Sequence, residues 1–173
     1  MASLWPSRPR GITPETPGPG QESVWDYPRP PRVEPSAAHI VVDFGGRRLA
    51  DTTAAYRVLE TSHPPVFYLP LADMDTSMLR PSERSSYCEF KGMAAYYDLV
   101  AGERVEPAAA WYYPQPTRGF EVLVGHVAVY PGRVDRAEVD GEVVQAQEGD
   151  FYGGWRTSRI VGPFKGGAGT WGW

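Results

Sequence analysis

His39-Ile40-Val41-Val42-Asp43-Phe44 runs into Gly45-Gly46 and on through Arg47-Arg48-Leu49-Ala50-Asp51-Thr52, and this stretch decides the fold class. An apolar, β-branched run meets a glycine pair able to take the positive φ angles of a two-residue hairpin, and a second run returns from it. The same punctuation recurs downstream. Tyr56 to Thr61 alternates, with Tyr56, Val58 and Glu60 on one face and Arg57, Leu59 and Thr61 on the other, until Pro64-Pro65 ends it. Val66 to Leu69 is a compact strand. Ala95 to Val100 pairs across Ala101-Gly102-Glu103 with the next run, and Ala110 to Tyr113 stops at Pro114. Val122 to Tyr130 and Arg133 to Val139 follow, with Asp140-Gly141 turning into Glu142 to Gln145. Helix is confined to one-turn candidates near Leu71 to Asp75 and Pro81 to Ser85. The pattern predicts an all-β domain over residues 36–148, large enough for one core.

Composition agrees with that reading and narrows the class. Gly (19) and Pro (18) make up about 21% of the 173 residues, against about 12% in average usage, which argues against a helix bundle. Nine of the prolines fall in residues 1–35, predicting an extended Pro-rich arm. Residues 149–173 hold eight glycines and three tryptophans, and five of the six Trp lie in the two tails. Exposed indoles gain nothing in a solvated linker, so the tails are expected to lay aromatic anchors on the body or on a second subunit, which a homodimer would supply. Mobile termini are the plainer alternative. No apolar run approaches the roughly 18 residues of a membrane helix, and the first residues resemble no signal peptide, so no membrane partner and a soluble, cytoplasmic protein are expected. A single cysteine, Cys88, rules out an intrachain disulfide and a multi-Cys zinc site. The formal charge is -4 with no clustered basic face, which speaks against nucleic acid.

Fifteen Arg stand against two Lys. Both lysines sit in the same word, Phe90-Lys91-Gly92 and Phe164-Lys165-Gly166, where a compact amine rather than a planar guanidinium is called for. The densest set of reactive groups spans Arg57 to Lys91. Glu60 and His63 meet only if Thr61 and Ser62 form a turn, because Pro64 biases His63 to an extended conformation. So joined, Glu60 would fix the imidazole tautomer for a general base, while a turn histidine at a strand end is the plainer alternative. Cys88 lies three residues before Lys91 and is either an activated thiol or a small buried hydrophobe. Asp73-Met74-Asp75 has a spacing used for magnesium but reads more simply as a turn. No histidine pair has metal-ligand spacing, and no metal or cofactor is expected.

Arg57-Val58-Leu59-Glu60-Thr61 running into His63-Pro64-Pro65 and Tyr68, then Tyr87-Cys88, Phe90-Lys91-Gly92, Trp111 and Gly125 to Tyr130 resemble the bacterial domain of unknown function 427 family over about His39 to Asp135. Trp25-Asp26-Tyr27-Pro28 and the Gly-Trp ending resemble its longer actinobacterial members. The resemblance implies a small, mostly antiparallel β-tent or barrel-like fold with the family words around one pocket. The expected function is metal-independent binding, with or without turnover, of a small anionic or carbonyl-bearing molecule. Glu60, His63 and Lys91 are the candidate catalytic groups, and Arg57, Tyr68, Cys88, Tyr96 and Trp111 the candidate ligand contacts. The rival expectation is a protein-interaction module using the aromatic tails and a β edge.

Overall fold

Alternating side chains that recur between glycine turns give this chain one sheet with two apolar faces, and the site lies on the second face. A computed structural model describes residues 8–149 and 151–173; Trp5 and Pro6 of the arm and Asp150 lie outside the described residues. The strands are β1 (Glu22–Ser23), β2 (Arg32–Ser36), β3 (Ile40–Phe44), β4 (Arg47–Thr52) and β5 (Ala55–Leu59), then β6 (Val66–Pro70), β7 (Leu79–Cys88), β8 (Gly92–Ala101), β9 (Arg104–Tyr112) and β10 (His126–Val129). They end with β11 (Arg136–Val139), β12 (Glu142–Val143), β13 (Gln145–Ala146), β14 (Trp155–Arg156) and β15 (Ile160–Val161). Only 3-10 turns interrupt them among the described residues. No helix there is long and apolar enough to cross a membrane.

The quoted hairpin forms as read, β3 pairing antiparallel with β4 across Gly45 and Gly46, both at positive φ. It belongs to a four-stranded sheet, β12-β11-β3-β4, lying against a seven-stranded sheet, β2-β5-β6-β10-β9-β8-β7. Between them Ile40, Val42, Phe44 and Leu49 pack against Phe67, Leu69, Leu99, Val127 and Val129 in the larger core cluster. The alternate residues of the same strands, Tyr68, Tyr96, Trp111 and Ala128, form a second cluster with Tyr113, Phe120 and Tyr130.

The sheets are all-β and mostly antiparallel, but they remain open and no barrel closes. Pro81 to Ser85 is not a helical turn; it lies inside β7 at an irregular register, where an edge strand tolerates a proline that donates no hydrogen bond. The expected strand over Val122 to Tyr130 shortens to β10, because Leu123 turns inward in a 3-10 turn while Val122 and Val124 stay exposed. The run from Arg133 likewise begins with a 3-10 turn, Pro131–Arg133, before β11. The Pro-rich arm is not wholly outside the body, since β2 is the edge strand beside β5.

Both tails dock. β1 pairs in parallel with β15, and Trp25 stacks edge-on against Trp173 at 5.6 Å while its Nε1 donates to the Pro163 carbonyl. Trp155 is fully buried against Phe67 and donates to the Val129 carbonyl. Trp171 departs from the expectation that all three late indoles are buried: it is 87% exposed. A Trp155→Ala substitution is therefore expected to cost about 3–5 kcal/mol of unfolding free energy in urea titrations, and Trp171→Ala less than about 0.5 kcal/mol. Equal effects of the two would contradict this assignment of the anchors.

Candidate functional site

The connection from β5 to β6 carries the first half of the site. Ser62 takes a positive φ of 73°, and the His63 amide donates to the Glu60 carbonyl at 3.0 Å, so the turn that the sequence made a condition is present. The turn is held on both sides: the Ser62 amide donates to the Val24 carbonyl, and its own carbonyl accepts from the Lys165 amide. His63 Nε2 then lies 3.0 Å from Glu60 Oε2. Arg29 reaches from the arm, its Nη2 donating to the Thr61 carbonyl at 2.8 Å and to Glu60 Oε2 at 3.3 Å. Burial alone would raise the Glu60 pKa, but the hydrogen bond and charge of His63, with the charges of Lys91 and Arg29, outweigh it and bring it down to about 2.

Gln147 fixes the other side of the imidazole. Its Oε1 accepts from the Gly154 amide, which can only donate, so the amide orientation is set. Its Nε2 donates to the Lys165 carbonyl at 2.7 Å and faces His63 Nδ1 at 3.1 Å. Nδ1 therefore accepts, and the proton of the neutral ring sits on Nε2, pointing to Glu60. The Tyr152 ring packs edge-on against His63 at 4.7 Å. Glycines permit this closure: a Cβ on Gly153 would collide with the Trp111 ring, and one on Gly154 with Gln147 Oε1.

Lys91 supplies the second half. It lies in the turn between β7 and β8, followed by Gly92 at φ 101°, and is only 9% exposed. Its Nζ lies beside Cys88 and 5.8 Å from the centre of the Tyr113 ring. No carboxylate among the described residues is ion-paired with it. Burial opposes its charge, but the polar groups around it, the Glu60 carboxylate among them, more than offset that, and the pKa is held above the ordinary lysine value. Burial also raises the Tyr68 and Tyr113 pKa values, so both phenols keep their protons at neutral pH. These groups enclose a cavity of about 180 Å³, walled by Val58, Val66, Tyr68, Tyr96, Trp111, Tyr113, Tyr130, Phe151 and Tyr152, with Glu60, His63, Cys88, Lys91 and Gln147 among its polar lining. Trp111 Nε1 donates to the Tyr68 hydroxyl at 3.2 Å, and Ser86 and Tyr96 share a hydrogen bond at 2.8 Å.

Seven of the eight expected site residues thus meet at one cavity. Arg57 does not. It pairs with Glu22 and Glu34 on the opposite face of β5, where it lines a separate groove, as the alternation from Val58 and Glu60 requires. Tyr113, Tyr130, Tyr152, Gln147 and Arg29 were not expected. Tyr113 follows from Trp111 by the two-residue period of β9 extended beyond its end, but Gln147 and Arg29 reach His63 and Glu60 only through the tertiary fold. The Asp73 and Asp75 carboxylates are engaged elsewhere, the first accepting from Thr52 and the second capping Thr76–Met78 and pairing with Arg47. Among the described residues no group of three His, Cys, Asp or Glu is arranged to hold a metal.

A family model named NTP_transf_9 and described as a domain of unknown function (DUF427) matches residues 32–140. No curated protein matches the chain.

The Glu60 environment predicts an acid-sensitive site. A depressed carboxyl contributes stability above its unfolded pKa, near 4.5, and loses it as pH falls towards about 2. The difference in unfolding free energy between wild type and Glu60→Gln should be constant above about pH 5 and shrink by roughly 3 kcal/mol between pH 4.5 and 2, as followed by urea titration at each pH. A difference that stays flat across that window would contradict the pairing.

Proposed function

The chain belongs to the DUF427 family, and for this member we propose metal-independent binding of a small anionic or carbonyl-bearing molecule in the cavity around Lys91. One observation carries the proposal: a buried ammonium group lines an aromatic cavity, and no carboxylate among the described residues is ion-paired with it. Burial works against that charge and only neighbours that form no ion pair with it offset the cost, so a lysine kept in such a place is better explained by a ligand than by stability. Lys91 supplies the charge and Tyr68 a hydroxyl. Tyr96 and Trp111 form walls, and Cys88 lies beside the amine. Glu60 and His63 form the polar wall opposite. Because both His63 ring nitrogens are hydrogen-bonded, the pair serves first to hold the cavity shut; proton transfer through it requires the Gln147 contact to open.

A nucleotide is a poor match. A triphosphate would need more cations than the cavity's lining lysine, Lys91, supplies.

The rival reading, an interaction module, retains one specific observation. Tyr87 and Met93 face each other across the β7–β8 hairpin and are 69% and 53% exposed. Most of the tail indoles that such a module would use are instead spent on the protein's own body.

A thermal-shift screen of small carboxylates and carbonyl compounds tests the proposal, since a ligand that binds only the native state raises the melting temperature. A hit is expected to survive EDTA and to lose at least about tenfold in affinity in Lys91→Arg, whose longer planar head does not fit the turn. Normal binding by Lys91→Arg at matched stability would refute the role of the lysine and favour the interaction module.

A further inference from the structure

The charges and hydrogen-bond donors around this cavity can be balanced, and the balance identifies the ligand class more narrowly. Glu60 and Lys91 are the charged residues that line it, and Arg29 pairs with Glu60. Glu60 already accepts from Arg29 and from His63 Nε2, whose other nitrogen is taken by Gln147. The three charges sum to one positive, and Lys91 has no ion-paired carboxylate among the described residues. Two more cations lie over lining rings: the exposed Arg84 over Tyr96 at 4.7 Å, and Lys165 over Tyr152 at 5.4 Å, its Nζ donating to the Trp173 carbonyl.

Donors are in surplus as well. Trp111 Nε1–H can only donate, and Tyr68 oxygen accepts it. Tyr68 and Tyr113 bring two O–H groups to the lining, and Lys91 three N–H groups. The lining thus lacks one negative charge and is richer in donors than in acceptors, and aromatic rings make up much of the rest of it.

Resting on the reading of this cavity as a binding site, we propose that its ligand is a small monocarboxylate with a flat apolar body, its two oxygens set against Lys91 and the Tyr68–Tyr113 hydroxyls and its body against Trp111 and Tyr96. A carboxylate brings one charge and two acceptors, matching both deficits. A phosphate monoester brings close to two charges at neutral pH and would leave a buried negative charge unpaired. A neutral amide leaves the ammonium uncompensated.

Benzoate, benzamide and phenyl phosphate separate these cases, with binding followed by indole fluorescence and melting temperature. Benzoate is expected to bind wild type at least about tenfold more tightly than either of the others. Lys91→Met should abolish that preference. Tyr68→Phe should weaken benzoate several-fold and benzamide less. The wild-type comparison stands even if a variant fails to fold. Benzamide binding as tightly as benzoate, or phenyl phosphate more tightly, would overturn the monocarboxylate inference and leave the cavity reading intact. No response to any of the three at about 10 mM, a limit that excludes even weak affinities, would overturn both.

Discussion

The Gln147 carboxamide is the constraint on which the site depends. One side chain accepts from Gly154, donates to the Lys165 carbonyl and donates to His63, tying two segments of the late chain and the β5–β6 turn to one planar group. Each partner has a fixed role as donor or acceptor, so the network has one consistent direction. It ends on Glu60, which Arg29 reaches from the arm. Removing any member leaves buried polar groups unsatisfied, which is costly, so arm, turn and tail are held as a unit.

The cavity follows from that constraint and from the two-faced sheet. One face of the seven-stranded sheet is covered by the four-stranded sheet. The other, rich in tyrosine and tryptophan, has no second sheet and is roofed by Phe151, Tyr152 and Gly153. The roof can lie flat on Trp111 because Gly153 has no side chain. Lys91 enters from the β7–β8 turn, far in sequence from the roof, and Cys88 and the Tyr113 ring surround its amine.

Much of this is legible in the sequence where the signal is local. The Gly45-Gly46 hairpin and the strand beginning at Val66 are set by period and turn chemistry. Glu60 and His63 meet because Ser62 turns the chain at a positive φ, just before the His63 that Pro64 biases to an extended conformation. Lys91 stands out because arginine takes nearly every other positive position. Arg57 shows how proximity in sequence misleads: it lies three residues from Glu60, yet the alternation of β5 sends it to the other face. Gln147 lies 84 residues from His63, and no local pattern announces such a contact. Pro81 suggested a helical start because an edge strand and a first helical turn tolerate proline for the same reason, the missing N–H.

The direction of the hydrogen-bond network is the central claim, and the ring nitrogens of His63 report it directly. Nitrogen-15 NMR of the imidazole, assigned by comparison with a His63→Gln variant, distinguishes a protonated from an unprotonated nitrogen at each position. The account predicts that the neutral ring carries its proton on Nε2, with Nδ1 unprotonated and facing Gln147. A proton on Nδ1 in the neutral ring would contradict it, because Gln147 could not then hold Gly154, Lys165 and His63 together.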